Sequence, residues 1–301
     1  GYTVENKVKT VSKDEQVNLQ VTSDPEGRNI VITGTIPEDK KDVVRTFAIK
    51  DPGHFARAAF IDALRREGIV VNLPRNKKAE LPSQKTLQKL QPIAVYLSPP
   101  LSEYAKLTLK VSQNVGADLV PMLLAAQEGK KTFDEGMKIL GNFVINEVKI
   151  ESDAFVFGDA AGGDENRLTP FEEVHLLDYV KKLPSNQFQN FYNALPILGV
   201  DGSLSDFAKN TAAVGKVRAK TGTGVEFNAA TGEFFLTTQT LAGYVEGKNG
   251  HMIAFMLAVN NGVMPKMDDL PPIFEDLSQI ASIIYDLSET NQVQGASPPK
   301  N

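Results

Sequence analysis

The residues with the clearest chemical potential form the string Lys220-Thr221-Gly222-Thr223. Lys220 offers a fixed positive charge, Thr221 and Thr223 offer hydroxyl groups, and Gly222 lacks the Cβ that would hold a substrate backbone away. A strand edge that presents these groups would suit an anionic substrate. Taken alone, the string favours a plainer interpretation, a solvent-exposed strand end before a turn.

A second polar group, Ser112-Gln113-Asn114, lies between two apolar stretches with helical spacing. Taken alone, Ser112 and Asn114 favour a helix end whose backbone groups are satisfied by side-chain hydrogen bonds. Whether each of the two strings has a chemical or a structural role therefore depends on the elements around it.

The elements around these groups predict an α+β fold with a largely antiparallel sheet. Val217 and Ala219 alternate with charged residues, as in a half-buried strand that leads into Lys220. Asn249-Gly250 separates two further apolar runs and indicates a hairpin. The predicted strands near the end of the chain are 240–245 and 252–259. The predicted helices of this half are 101–108, 116–126, one opening with a capping box of Thr132 and Glu135, 169–182 and 273–287.

The first part of the chain is predicted to be a separate α/β module. Apolar residues cluster or alternate at 16–21, 29–33 and 43–49, which predicts strands, and a helix follows from about Phe55 to Gly68. A polar stretch without periodicity, 72–92, then connects to a short predicted strand at 94–97.

The composition excludes several classes of function. The chain has 301 residues, is 42% hydrophobic and carries a net charge of -5, so a nucleic-acid partner is not expected. It has no cysteine, which excludes disulfides, thiolate catalysis and cysteine-based zinc sites and suits a protein outside the cytoplasm. The 3 histidines are scattered without carboxylates at ligand spacing, so neither a metal site nor a cofactor is expected.

Several strings in fixed order resemble one family. They are Ser112-Gln113-Asn114, the stretch 158–170 (GDAAGGDENRLTP), the stretch 198–204 (LGVDGSL) and the stretch 211–223 that ends in KTGT. Together they resemble the D-alanyl-D-alanine carboxypeptidases of the penicillin-binding protein 4 type, the serine peptidases of family S13. The resemblance implies a DD-peptidase/serine β-lactamase-like antiparallel sheet flanked by helices, plus part of an inserted accessory α/β module. The implied domains are the accessory module at 1–92, a transpeptidase-like (penicillin-binding) domain at 93–290 and a flexible tail at 291–301.

The resemblance also implies roles for individual residues. Ser112 would relay a proton between the catalytic lysine and the leaving amine, and Asn114 would hold the amide carbonyl of the substrate. Lys220, with Thr221 and Thr223, would attract the terminal carboxylate, and the Thr223 N–H would be an oxyanion donor. Gly222 completes the substrate-binding strand. The implied partners are peptidoglycan peptides ending in D-Ala-D-Ala and β-lactam antibiotics, met in the periplasm or another extracytoplasmic compartment.

One departure from the family concerns the nucleophile. The family carries it in a Ser-x-x-Lys element far upstream of Ser-x-Asn, and none of the serines before Ser112 has a lysine three positions later. The chain is therefore expected to be the C-terminal portion of a longer protein and to need the missing N-terminal segment as a partner. The stretch 224–238 is a further departure, interpreted as an inserted hairpin around Thr231-Gly232. The alternatives are a non-catalytic module that binds wall peptides or a partner, and a β-lactamase or esterase of the same architecture.

Overall fold

In the computed structural model, which describes residues 2–41, 43–72 and 82–289, the chain divides into two units, Gly1–Ile93 and Ala94–Asn301. The tail at 291–301 lies outside the described residues. Both units combine strands and helices, and the expected α+β class is confirmed.

The first unit is built on a three-stranded sheet in the order β1-β3-β2. Its elements are β1 (Thr3–Val11), β2 (Asn18–Ser23), β3 (Asn29–Pro37), α1 (Pro52–Arg66) and the short α2 (Gln84–Leu87). The pair β2–β3 is antiparallel, whereas β1 runs parallel to β3. Asp51 caps α1 by accepting the His54 N–H at 2.9 Å.

The second unit places helices against an antiparallel sheet of order β6-β7-β8. Its helices are α3 (Leu101–Lys110), α4 (Asn114–Gln127), α5 (Phe133–Phe143), α6 (Pro170–Lys181), α7 (Ser185–Ala194) and α8 (Leu270–Leu287). Its strands are the short pair β4 (Phe155–Val156) and β5 (Arg167–Leu168), then β6 (Val217–Asn228), β7 (Glu233–Glu246) and β8 (Met252–Met264). The predicted capping box of Thr132 and Glu135 and the hairpin turn at Asn249-Gly250 are confirmed.

The core of this unit lies on both faces of the sheet. On one face, Val217, Ala219 and Leu241 pack with Leu277 and Ala281 of α8. The opposite face is covered by α6 and α7, whose Leu177, Phe188, Tyr192 and the following Leu195 surround the fully buried Tyr244. Because successive strand residues point to opposite faces, β6 is held from both sides while its outer edge is left for other contacts.

Two strand predictions are wrong. Residues 43–49 and 94–97 form no strand, although their apolar residues suit one. A strand requires a neighbouring strand to pair with, and neither segment pairs with a described strand. The side chains of 94–97 are exposed, and those of 43–49 are exposed or half-buried, as Val95, Tyr96 and Val44 illustrate.

The described helices include none that is both long enough and apolar enough to span a bilayer.

Candidate functional site

A direct contact joins two of the residues singled out in the sequence. The Lys220 Nζ donates a hydrogen bond to the Ser112 Oγ at 2.7 Å, across 108 positions of sequence. The same ammonium donates to the Thr221 carbonyl oxygen at 2.6 Å. Since a lysine ammonium has three donors, these contacts leave one N–H for a bound anion.

The turn between α3 and α4 places the Ser112 hydroxyl. Ser112 has a φ of 54°, the left-handed conformation in which a helix commonly ends. The next N–H, of Gln113, donates back to the Thr108 carbonyl at 3.0 Å and closes the helix end. Gln113 then caps α4 by accepting the Gly116 N–H with its side chain. Asn114 is therefore the first residue of α4 and is exposed one step beyond Ser112.

Strand β6 presents Lys220 and the residues after it at the edge of the sheet. The Leu198 N–H donates to the Val217 oxygen and the Ala219 N–H donates to the Pro196 oxygen, both at 3.0 Å, so the polar backbone groups of Val217 and Ala219 face away from β7. Strand geometry repeats every two residues. The N–H and C=O groups of Thr221 and Thr223 therefore face the same outer edge, beyond the stretch that Pro196–Leu198 covers.

The two threonine hydroxyls already have partners. The Thr221 Oγ1 lies 2.9 Å from the Ser203 Oγ. The Thr223 hydroxyl donates to the Gln239 Oε1 at 2.8 Å, on the neighbouring strand β7. Because that hydroxyl is engaged, the backbone N–H of Thr223 is the group it offers to a ligand at the edge.

Packing against β7 also favours a glycine at position 222, in addition to the close substrate approach expected from the sequence. A Cβ at this position would lie 2.5 Å from the Thr240 Oγ1, closer than real Cβ contacts. Thr240 lies opposite Gly222 in the β6–β7 register. The glycine therefore lets β7 carry a threonine directly behind the candidate site.

Burial changes the acid–base behaviour of Lys220. Desolvation lowers the pKa of its ammonium from the usual 10.5 to about 8. Near neutral pH the side chain is still mostly protonated, but its charge is lost on a modest rise in pH. Lys220 is thus a cation that titrates close to the working range of an enzyme.

The chain as a whole has the same sequence pattern as a known family over most of its length. Residues 1–280 match the model of the D-Ala-D-Ala carboxypeptidase 3 (S13) family. The chain belongs to this family. A D-alanyl-D-alanine carboxypeptidase of Actinomadura sp. (strain R39) is 28% identical over 253 residues, which are 81% of this chain and 44% of that protein. The penicillin-sensitive carboxypeptidase A of Dictyostelium discoideum is 28% identical over 142 residues, 45% of this chain and 26% of that protein.

Solved structures show the same fold. Penicillin binding protein 4 (dacB) from Haemophilus influenzae matches with a TM-score of 0.67 and 21% identity, over 95% of this chain and 60% of that one. Its complex with a β-lactam matches with a TM-score of 0.65 and 21% identity, over 93% of this chain and 63% of that one. The expected family and fold are thereby confirmed. This S13 chain spans less than half the length of the two curated relatives, 44% and 26%.

The family-like loop between β4 and β5 contacts α4, because the Ala160 N–H donates to the Asp118 Oδ1 at 3.1 Å, and the loop is organised by Asp159. Its Oδ1 accepts the N–H groups of Ala161, Gly162 and Gly163 at 2.9 to 3.0 Å, and the Asn166 side-chain amide at 2.9 Å. Burial raises the pKa of Asp159, but these hydrogen bonds outweigh it and the pKa falls below its usual value. Asp159 therefore acts as the turn-former that its glycine neighbours indicate.

Four residues near the site were not singled out by chemical type in the sequence. They are Lys110, Asp201, Ser203 and Gln239. Asp201 and Ser203 lie in the family-like string 198–204, which was the available signal, whereas nothing in the sequence marks Lys110 or Gln239. Within the described part of the chain, no group of three or more His, Cys, Asp or Glu side chains could hold a metal ion.

Proposed function

We propose that the protein is a serine-type D-Ala-D-Ala carboxypeptidase that acts on peptidoglycan stem peptides through an acyl-enzyme, outside the cytoplasm where those peptides lie. The same site would cut peptide cross-links and be acylated by β-lactams. The observation that carries the proposal is the 2.7 Å contact between Ser112 and Lys220, beside the open edge of β6. Membership of the S13 family supports the reaction class.

The contacts suggest how the chain's own residues would act. The remaining N–H of Lys220 would bind the terminal carboxylate of the substrate, a charge-assisted hydrogen bond. The Thr223 N–H, on the open edge, would stabilise the oxyanion that forms when a serine oxygen attacks the penultimate D-Ala carbonyl. The Ser112 hydroxyl would pass a proton to the terminal D-Ala nitrogen as the C–N bond breaks. The exposed Asn114 amide would hold the carbonyl of the preceding peptide bond.

The nucleophile is proposed to come from a segment outside these 301 residues, packed against this chain. One string does carry the letters of the element, Ser297-Pro298-Pro299-Lys300, so the pattern is not wholly missing from the sequence. It follows the other motifs, whereas the family's element precedes them. Ser297 lies outside the described residues.

The decisive experiment is intact mass spectrometry of the complete gene product with and without penicillin. One added penicillin mass is expected, and digestion should map the adduct to a serine outside residues 1–301. An adduct on Ser297 would move the nucleophile into this chain. No adduct on a folded, complete protein would contradict the carboxypeptidase and favour a non-catalytic module that binds wall peptides. Rapid turnover of a chromogenic cephalosporin would favour a β-lactamase.

The pKa of Lys220 predicts an alkaline limit to the reaction. A lysine whose pKa lies near 8 is charged below that pH and neutral above it. Binding of the substrate carboxylate should therefore weaken as the pH rises through 8, and the KM should rise before the kcat falls. Initial rates on a peptide ending in D-Ala-D-Ala, measured across the interval from below 8 to 10.5, would check this. A flat KM through that interval would contradict the assigned role of Lys220.

A further inference from the structure

We propose that the turn at residues 197–204, here called the bridging turn, holds the two walls of the site in register, and that Asp201 and Ser203 are positioning residues. One wall is the end of α3 with Ser112, and the other is β6 with Lys220. The bridging turn contacts both walls and carries none of the groups proposed to touch the substrate.

The first anchor joins the bridging turn to the end of α3. Lys110, the last residue of that helix, donates to the two carboxylate oxygens of Asp201 at 2.6 and 2.7 Å and to the Leu195 carbonyl at 2.6 Å. Its side chain is only 13% exposed. Asp201 also accepts the Ile197 N–H at 2.9 Å. All three ammonium donors of Lys110 are thus directed at this part of the chain, two residues before Ser112.

The second anchor is a close approach of backbones. Gly202 has a φ of 62°, and a Cβ on it would lie 2.7 Å from the Lys110 carbonyl oxygen. A side chain at this position would push the turn away from the helix end. The Lys110–Asp201 pair therefore lies over a backbone contact that only glycine permits.

The third anchor joins the bridging turn to β6. Ile197 forms an isolated bridge with Arg218, and the Leu198 N–H donates to the Val217 oxygen at 3.0 Å. The Ser203 hydroxyl lies 2.9 Å from that of Thr221, the residue directly after Lys220. A displacement of the turn would therefore move β6 as well as the end of α3.

Ser112 depends on such support because of its backbone. Non-glycine residues adopt a left-handed φ only at a cost, and they persist there when the surroundings hold them. If the Asp201 anchor is lost, Ser112 and Lys220 are expected to separate and water to enter between them. The activity consequence rests on the proposed function, whereas the effect on the titration of Lys220 does not.

The test compares Asp201→Asn, Lys110→Met and the double variant in the complete gene product. Asp206→Asn is the matched control, because Asp206 pairs with Lys209 at 2.6 Å on the exposed surface nearby. Acylation by a fluorescent penicillin should slow about 10- to 100-fold in each single variant, the scale of a small misplacement of catalytic groups. The double variant should be slowed by much less than the product of the two single effects, because the Lys110–Asp201 pair is already lost in each single variant. The Asp206→Asn control should be acylated at the rate of the unaltered protein.

A second readout separates positioning from general loss of stability. In an NMR titration, the pKa of Lys220 in the unaltered protein should lie near 8. In folded Asp201→Asn protein this pKa should move toward 10.5, because water then reaches the ammonium. If Asp201→Asn does not fold, Ser203→Ala, which deletes one half-buried hydroxyl, takes its place in both measurements. An unchanged Lys220 titration in a folded variant would overturn the proposal, and so would equal slowing in Asp206→Asn. If the unaltered protein is not acylated, the proposed function fails while the titration still decides the role of the bridging turn.

Discussion

Replacement of Lys220 by alanine in the complete gene product is expected to reduce acylation by penicillin by about 10²- to 10³-fold, the loss typical when one electrostatic donor is removed from an enzyme site. The ammonium of Lys220 is held by the Ser112 Oγ and the Thr221 oxygen at 2.7 and 2.6 Å, so its remaining N–H has a fixed direction. Alanine would remove both this N–H and the hydrogen bond that the ammonium donates to the Ser112 Oγ. Burial disfavours the charge, so the free energy of unfolding should not fall in parallel.

Two further variants sharpen this test. Lys216→Ala is the matched control, because Lys216 precedes the same strand and pairs with Glu246 at 3.5 Å on the exposed surface. It should acylate like the unaltered protein. Lys220→Arg keeps the charge at every accessible pH, so the alkaline limit should vanish even if the rate is lower. Near-normal penicillin labelling of folded Lys220→Ala protein would remove Lys220 from the mechanism.

Replacement of Ser112 by glycine is expected to slow acylation without lowering the stability of the protein. Loss of the hydroxyl removes the proposed proton relay, which for general acid–base groups is worth about 10²- to 10⁴-fold in rate. Glycine, however, adopts the φ of 54° found at Ser112 without the strain that a Cβ causes. The acylation rate would be measured with a fluorescent penicillin and the stability by thermal unfolding.

Ser112→Ala is the comparison that isolates the backbone effect. Both variants lack the hydroxyl and its contact with Lys220, and only alanine keeps the Cβ. The glycine variant should be more stable than the alanine variant by about 1 kcal/mol, which is roughly 2–4 °C in Tm for a unit of this size. Equal melting temperatures would mean that the left-handed turn carries no strain. Normal acylation of both variants would rule out Ser112 as the relay.

The local chemistry of the chain made much of the second unit predictable. Thr132 with Glu135, the apolar periodicity of 101–108 and the Asn249-Gly250 turn each specify structure through interactions a few residues apart, and each prediction is confirmed. The family-like strings likewise pointed to the S13 family. The segments 43–49 and 94–97 were predicted wrongly because a strand exists only if another strand lies beside it, and local patterning does not report that neighbour.

For the candidate site, the sequence by itself determined the residue types, namely a lysine, hydroxyls and an amide in two short strings. Only the tertiary structure decided that Ser112 and Lys220, 108 positions apart, share a hydrogen bond. It also decided that burial moves the pKa of Lys220 to about 8 and that Lys110 is directed at Asp201. The physical reason is that contact, desolvation and ion pairing depend on distances between elements far apart in sequence. Those distances are fixed by how α3, β6 and the bridging turn pack, and no short string encodes them.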